Sequence, residues 1–301
     1  MKIAKDITEL IGNTPLVKIN KLTKGNIFAK LEYFNPASSI KDRAAQNIIE
    51  TAEKEGLINK DTKIIEATSG NFGIGLALIC AVKGYKLILT MPENMSLERR
   101  KLLSGLGAEL VLTDKKLGMQ GAIDKVIELN QKYKNSFLPK QFENYANPEI
   151  HEKTTAKEIW QDTNGKIDIL IAGVGTGGTI SGIAKYLKEQ NSNIKVIGVE
   201  PLSSQVLTGK EASTHKIQGI GANFIPKNYN ASLIDEVFAV SDENAILTAK
   251  DLIKKEGILC GISSGATMHA GIEIAKRDYT KNIVVILPDT AERYISSELF
   301  E

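Results

Sequence analysis

Residues 167–172 are apolar apart from Asp168 and run straight into Gly173-Val-Gly-Thr-Gly-Gly178. An apolar strand of this kind belongs in a sheet covered on both faces, and a glycine-rich turn after it opens a helix. The same order recurs along the chain. Strands over 63–67, 86–91, 108–113, 195–199 and 283–287 alternate with helices over 72–82, 96–106, 119–133, 179–189, 244–256 and 265–276. Alternation of this kind predicts an α/β fold with mostly parallel sheets. Shorter strands are expected over 16–19 and 27–31, and residues 203–234 read as irregular. A polar stretch, Gln141-Phe-Glu-Asn-Tyr-Ala-Asn-Pro148, puts a domain division near residue 145.

Composition narrows the function classes. The chain has 301 residues, enough for about two domains, and its formal net charge of +2 gives no reason to expect nucleic acid or an anionic membrane as partner. Cys80 and Cys260, the only cysteines, lie far apart in apolar runs and read as buried reduced thiols. The three histidines are not at metal-ligand spacing, so no metal site is expected. The N-terminal stretch Met1-Lys-Ile-Ala-Lys-Asp lacks a leader's apolar core, and residues 74–82, the longest apolar run, are too short to span a bilayer. A cytoplasmic protein is expected.

Four stretches have chemistry in them. In Asn35-Pro-Ala-Ser-Ser-Ile-Lys41-Asp-Arg43, Pro36 disfavours helix before it, and Ser39 with Asp42 resembles a capping box. Ala44, Ala45, Ile48, Ile49 and Ala52 follow at helical spacing. Lys41 thus falls in the first turn of a helix, beside the positive end of the dipole, where the cationic form is disfavoured. A lysine so placed suits Schiff-base chemistry. Residues 173–178 offer N–H groups and positive potential to a phosphate. Their spacing also matches the dinucleotide fingerprint, with Glu200 where a ribose-binding acid would stand, so a nicotinamide-dependent oxidoreductase is a rival. Thr68-Ser-Gly-Asn71 and Gly261-Ile-Ser-Ser-Gly265 read as two more strand-to-helix turns, the first suited to a carboxylate. A reactive amine, a phosphate cradle and a carboxylate cradle together suggest pyridoxal phosphate and an amino acid.

The ordered motifs extend this. Ile11-Gly-Asn-Thr-Pro-Leu-Val17, residues 35–43, Thr68-Ser-Gly-Asn71, Met91-Pro-Glu-Asn-Met-Ser-Leu-Glu-Arg-Arg100, Gln141-Phe-Glu-Asn144, Gly175-Thr-Gly-Gly-Thr179, Gly219-Ile-Gly-Ala222, Gly261-Ile-Ser-Ser-Gly265 and Pro288-Asp-Thr-Ala-Glu-Arg-Tyr294 run nearly the whole length. In these the chain resembles the cysteine synthases (O-acetylserine sulfhydrylases) among the fold-type II pyridoxal-phosphate enzymes. The resemblance implies a tryptophan synthase β-like fold. It has a smaller, mobile substrate-binding domain over 36–145 and a larger domain over 1–35 and 146–301 that holds the cofactor phosphate. It implies that Lys41 carries the cofactor and serves as base at Cα, and that Asn71 meets the ring oxygen. It gives the phosphate to Gly175, Thr176, Gly177, Gly178 and Thr179, and the pyridine nitrogen to Ser263. Thr68, Ser69, Gln141 and the N–H of Phe72 would take the substrate carboxylate, with Gly219 and Asn223 in the loop facing its β-carbon. The implied reaction is β-replacement through α-aminoacrylate, O-acetyl-L-serine and sulfide giving L-cysteine and acetate. A homodimer is implied, as is the C-terminal tail of serine acetyltransferase as a possible partner. In this light Glu200 reads as a structural strand-end residue.

Two positions depart from the family pattern. Phe72 stands where threonine is usual, and Asn223 where glycine is usual. Both bear on a second activity: consuming cysteine, releasing sulfide, and adding water or a thiol to give serine or lanthionine. A ring at Phe72 is also expected to weaken binding of the acetyltransferase tail.

Overall fold

The computed structural model describes residues 3–301; Met1 and Lys2, part of the stretch read for a leader, lie outside them. In chain order the elements begin with β1 (Leu16–Lys18) and β2 (Asn26–Leu31). Then come α1 (Lys41–Lys54), β3 (Lys63–Ala67), α2 (Asn71–Lys83), β4 (Lys86–Pro92), α3 (Leu97–Gly105), β5 (Glu109–Thr113), α4 (Gly118–Lys132) and β6 (Ser136–Phe137). A helical stretch follows, α5 (Ala146–Ile150), which continues through a π-helical His151–Thr155 into α6 (Ala156–Asp162). The chain ends with β7 (Ile169–Gly173), α7 (Gly178–Gln190), β8 (Lys195–Pro201), β9 (Glu236–Val240), α8 (Asp242–Asp251), α9 (Ile262–Ala275) and β10 (Asn282–Leu287). Among the described residues no helix is long and apolar enough to cross a membrane.

The chain divides into two compact units. The first comprises the described residues up to Ile11 and Lys41–Ala146; the second comprises Gly12–Ile40 and Asn147–Glu301. The first unit has a four-stranded sheet in the order β5-β4-β3-β6, parallel throughout. On one of its faces Ile65 and Ile88 pack against Val126 and Leu129 of α4. The second has a six-stranded sheet, β1-β2-β10-β7-β8-β9, in which only the edge strand β1 runs antiparallel. Its central strands show why they are apolar end to end. Ile169, Ile171, Ile283 and Val285 join a core with Ala266, Ala270 and Ile274 of α9. The residues between them, Leu170, Ala172, Val284 and Ile286, join a second core with Ile180, Ile183 and Leu187 of α7. Both faces are covered, as the α/β reading requires.

Three details differ from the sequence expectations. β7 starts at Ile169, and Asp168 before it turns its carboxylate to the backbone N–H of Asn282, 2.8 Å away, where the central strands β7 and β10 begin. β6 and β9 are not among the expected strands; β6 is only two residues long, and β9 is a short, half-buried edge. Residues 261–265 are not a turn after a strand. Cys260 makes only an isolated bridge to Thr290, Gly261 is the N-cap of α9, and Ser263 and Ser264 already lie in its first turn. Gly265 permits this, since a Cβ there would stand 2.0 Å from the carbonyl oxygen of Ala245 on α8.

Candidate active site

In the first unit the lysine and the hydroxyl-rich turn come together through glycine. Lys41 is the first residue of α1. A Cβ on Gly75 would lie 3.1 Å from the carbonyl oxygen of Lys41 and 3.1 Å from Cβ of Ala45, so a bare glycine lets α2 close onto the head of α1. Gly73 similarly sits against Thr68, whose Cγ2 would be 3.1 Å from an added Cβ. Neither glycine was singled out from the sequence; the only available signal was glycine inside an apolar helical run. Thr68 and Ser69 follow β3, and Asn71 and the buried Phe72 open α2. The N-cap of α2 is Gly70, which makes no side-chain capping bond. Gly70 offers the first N–H groups of α2 no side chain, and the Gly73 N–H turns to the Gly70 carbonyl at 3.1 Å. By contrast α3 and α8 are capped by Ser96 and Ser241. Gln141, buried in the turn after β6, belongs to the same unit.

The second unit holds the glycine loop between β7 and α7. Gly177 is the N-cap of α7 at φ +78 and has no side chain to cap with; the Gly178 N–H instead donates to Oγ1 of Thr176 at 3.5 Å. Each glycine of the loop has a neighbour that excludes a side chain. An added Cβ would lie 2.3 Å from the carbonyl oxygen of Gly219 at Gly175, 2.7 Å from the Tyr229 nitrogen at Gly177, and 2.2 Å from Oδ1 of Asn147 at Gly178. The two loop hydroxyls are held from behind. Asn147 donates from Nδ2 to Oγ1 of Thr176 at 3.0 Å, and Nε2 of His151 lies 3.3 Å from Oγ1 of Thr179. Asn147 and His151 were missed in the sequence, where neither has a motif. Gly221 donates its N–H to the Val174 carbonyl at 3.0 Å, and Ser263 Oγ stands 3.7 Å from where a Cβ of Gly219 would be. The loop, Gly219 and Ser263 thus form one wall. A backbone cradle at a helix N-terminus, with two oriented hydroxyls, fits a phosphate group.

Asn223 has a structural reason to be asparagine. Its φ is +63, a left-handed conformation that glycine and asparagine tolerate best. Its Oδ1 accepts from Oγ of Ser204 at 2.8 Å, and that same Oγ accepts the N–H of Ser213 at 3.1 Å. The amide oxygen is therefore engaged within the loop. Asn223→Ala and Asn223→Gly both lose the bond to Ser204, at about 0.5–1.5 kcal/mol, but only alanine is strained at this φ, so it is expected to be the less stable of the two by about 1 kcal/mol. Denaturant unfolding of the two variants checks this, and equal losses would refute it.

The dinucleotide rival loses its ribose acid. The Glu200 carboxylate accepts from Leu207 N–H at 2.9 Å and Thr208 Oγ1 at 2.8 Å, so it fastens a turn and is not a free ribose acid. Cys80 and Cys260 are free and buried, as their apolar runs imply, and burial pushes both thiols up, Cys80 to about 12.

A family model described as "Pyridoxal-phosphate dependent enzyme" matches residues 7–289. The chain belongs to this family. The cysteine synthase of Buchnera aphidicola subsp. Acyrthosiphon pisum is 56% identical over 310 residues, covering 99% of this chain and 98% of that protein. Among solved structures, a cysteine synthase from Entamoeba histolytica superposes with a TM-score of 0.97 at 44% identity, covering 99% of this chain and 91% of that one. A hydrogen sulfide-producing enzyme from Fusobacterium nucleatum superposes with a TM-score of 0.93 at 50% identity, covering 97% and 100%. Membership of the pyridoxal-phosphate family agrees with the phosphate cradle and with a lysine at the head of α1.

Proposed function

We propose that the chain catalyses β-replacement on an L-serine derivative, converting O-acetyl-L-serine and sulfide to L-cysteine and acetate. One observation carries this reading. The chain combines a side-chain-excluding cradle at the start of α7 with a lysine packed beside the hydroxyl-rich start of α2. Lys41 would hold the cofactor through its amine and would take the proton from the substrate's Cα. Asn71 hydrogen-bonds the ring oxygen. Gly175, Thr176, Gly177, Gly178 and Thr179 bind the phosphate. Thr68, Ser69, Gln141 and the N–H of Phe72 receive the substrate carboxylate, and Gly219 and Asn223 border its β-substituent. When bound, pyridoxal phosphate withdraws electrons from Cα, so that the proton and then the β-substituent depart. Ser263 offers the ring nitrogen a neutral hydroxyl. That leaves the ring a milder electron sink than an aspartate partner would, which suits loss of a good leaving group. A homodimer in the cytoplasm, and weak binding of a serine acetyltransferase tail, belong to the same reading through the family resemblance. Sedimentation of the holoenzyme with and without such a tail peptide tests both.

A second reading is supported by the 50% identity to the hydrogen sulfide-producing enzyme and by the change from threonine at Phe72: cysteine itself loses sulfide and is replaced by water or a thiol. Two incubations separate the readings. O-acetyl-L-serine with sulfide yields cysteine if the first is right, and no cysteine would end it. Cysteine alone yields sulfide with serine or lanthionine if the second holds, and silence there removes it.

A further inference from the structure

Glu66, on β3, is buried at 7% exposure. Its carboxylate accepts the backbone N–H of Lys140 at 2.9 Å and that of Gln141. The turn it holds is one that the backbone disfavours, since Lys140 sits at φ +51. The turn closes on itself through Glu143 and Asn144, whose N–H groups each donate to the Lys140 carbonyl at 3.0 Å. Glu66 ties the turn to β3. Two positions further along the chain is Thr68. A single side chain therefore joins the two stretches assigned above to the substrate carboxylate.

We propose that Glu66 is a positioning residue, whose ionised carboxylate holds the Lys140–Gln141 backbone so that Gln141 stays in place for the carboxylate of the amino-acid substrate. This rests on the carboxylate-binding roles given above to Gln141 and Thr68. The charges around it are few. On β4 the register sets Leu89 beside Glu66, and the strand's one charged residue, Lys86, is at its exposed end. β6 has no charged residue. α4 packs on the other face of the sheet, against Ile65 and Ile88. On the face that Glu66 shares with Leu89 the neighbour is α2, whose Gly73 lies beside Leu89; its one charged residue, Lys83, is at its far end and pairs with Glu53. In the turn itself Lys140 pairs with Glu143 at the surface. Burial accordingly pushes the Glu66 carboxyl up to about 7, against the opposing pull of the two N–H donors and Lys140. Above that pH the carboxylate accepts both N–H groups. Below it, a proton occupies one oxygen, one bond is lost and the turn slackens, so affinity for the substrate carboxylate falls as pH falls.

The holoenzyme, titrated with L-methionine (an amino acid without a β-leaving group) and followed by the cofactor's visible absorbance, tests this. The ligand's own amine ionises equally for both proteins, so the difference between the wild-type and Glu66→Gln profiles isolates the residue. Glu66→Gln is expected to bind roughly tenfold more weakly at pH 8, the loss of about one charge-assisted bond, and the gap is expected to close toward pH 6. Equal affinities with parallel pH profiles would overturn the proposal. A wild-type spectrum that ignores L-methionine at every pH would overturn the functional reading itself, and this proposal with it. If the variant does not fold, hydrogen exchange in the wild type decides: protection of the 139–144 segment, corrected for intrinsic rates, falls below pH 7 if Glu66 holds it. Protection independent of pH would refute it.

Discussion

Lys41→Ala is expected to leave a folded protein that binds pyridoxal phosphate without a covalent link and turns over at least about 10³-fold more slowly, since it loses both the attaching amine and the base at Cα. The fold should not suffer. Lys41 begins α1, where a cation opposes the helix dipole and alanine is the better helix former. Borohydride reduction followed by peptide mass mapping gives the readout. In the parent the reduced cofactor stays on the Lys41 peptide, and in the variant no peptide keeps it. Label on another lysine, or activity within tenfold of the parent, would end the assignment.

Gly175→Ala should strike the cradle through the backbone. The added Cβ would lie 2.3 Å from the Gly219 carbonyl oxygen and 3.4 Å from its carbon. No rotamer relieves such a contact, so the chain at Gly219 must move. That chain is bonded to Val174 through the Gly221 N–H and passes under Ser263, so the shift reaches the phosphate donors and the hydroxyl together. The expected cost is about 1–3 kcal/mol in stability, as for an overpacked core. A displacement approaching 1 Å weakens cofactor affinity by up to about 10²-fold. Titration of the apoenzyme with pyridoxal phosphate measures the second effect. Gly105→Ala is the control: nothing lies within 4 Å of its Cβ, it is the last residue of α3, and its stability should stay level or rise by up to about 0.5 kcal/mol. Similar cofactor affinities for the two variants would refute the cradle argument.

Much of the fold was legible because its signals are short-range. The strands over 63–67 and 283–287 match β3 and β10 to within a residue, since apolar runs bounded by turn residues admit few alternatives. The end of α2 was equally clear: Gly84 adopts φ +77 at its C-cap, as a helix-terminating glycine does. The segment 261–265 misled because a glycine followed by serines has the composition of a turn, and only packing against Ala245 shows that it is a helix start. β9 went unmarked for a related reason. An edge strand is half-buried on both sides and alternates weakly.

The strand–helix order, the lysine at a helix head and the glycines before α2, α7 and α9 follow from the residues alone, through rules of dihedral preference, spacing and capping that act over a few positions. Partner choice does not follow that way. That Gly175 needs room for Gly219, that Glu200 gives its carboxylate to Leu207 and Thr208, and that Asn223 is bonded to Ser204 depend on which segments meet. So does the link from Glu66 to Lys140. Distant segments meet because the sheets bury their apolar faces under helices, and the polar groups carried along must then take the nearest partner or go unpaired at a cost.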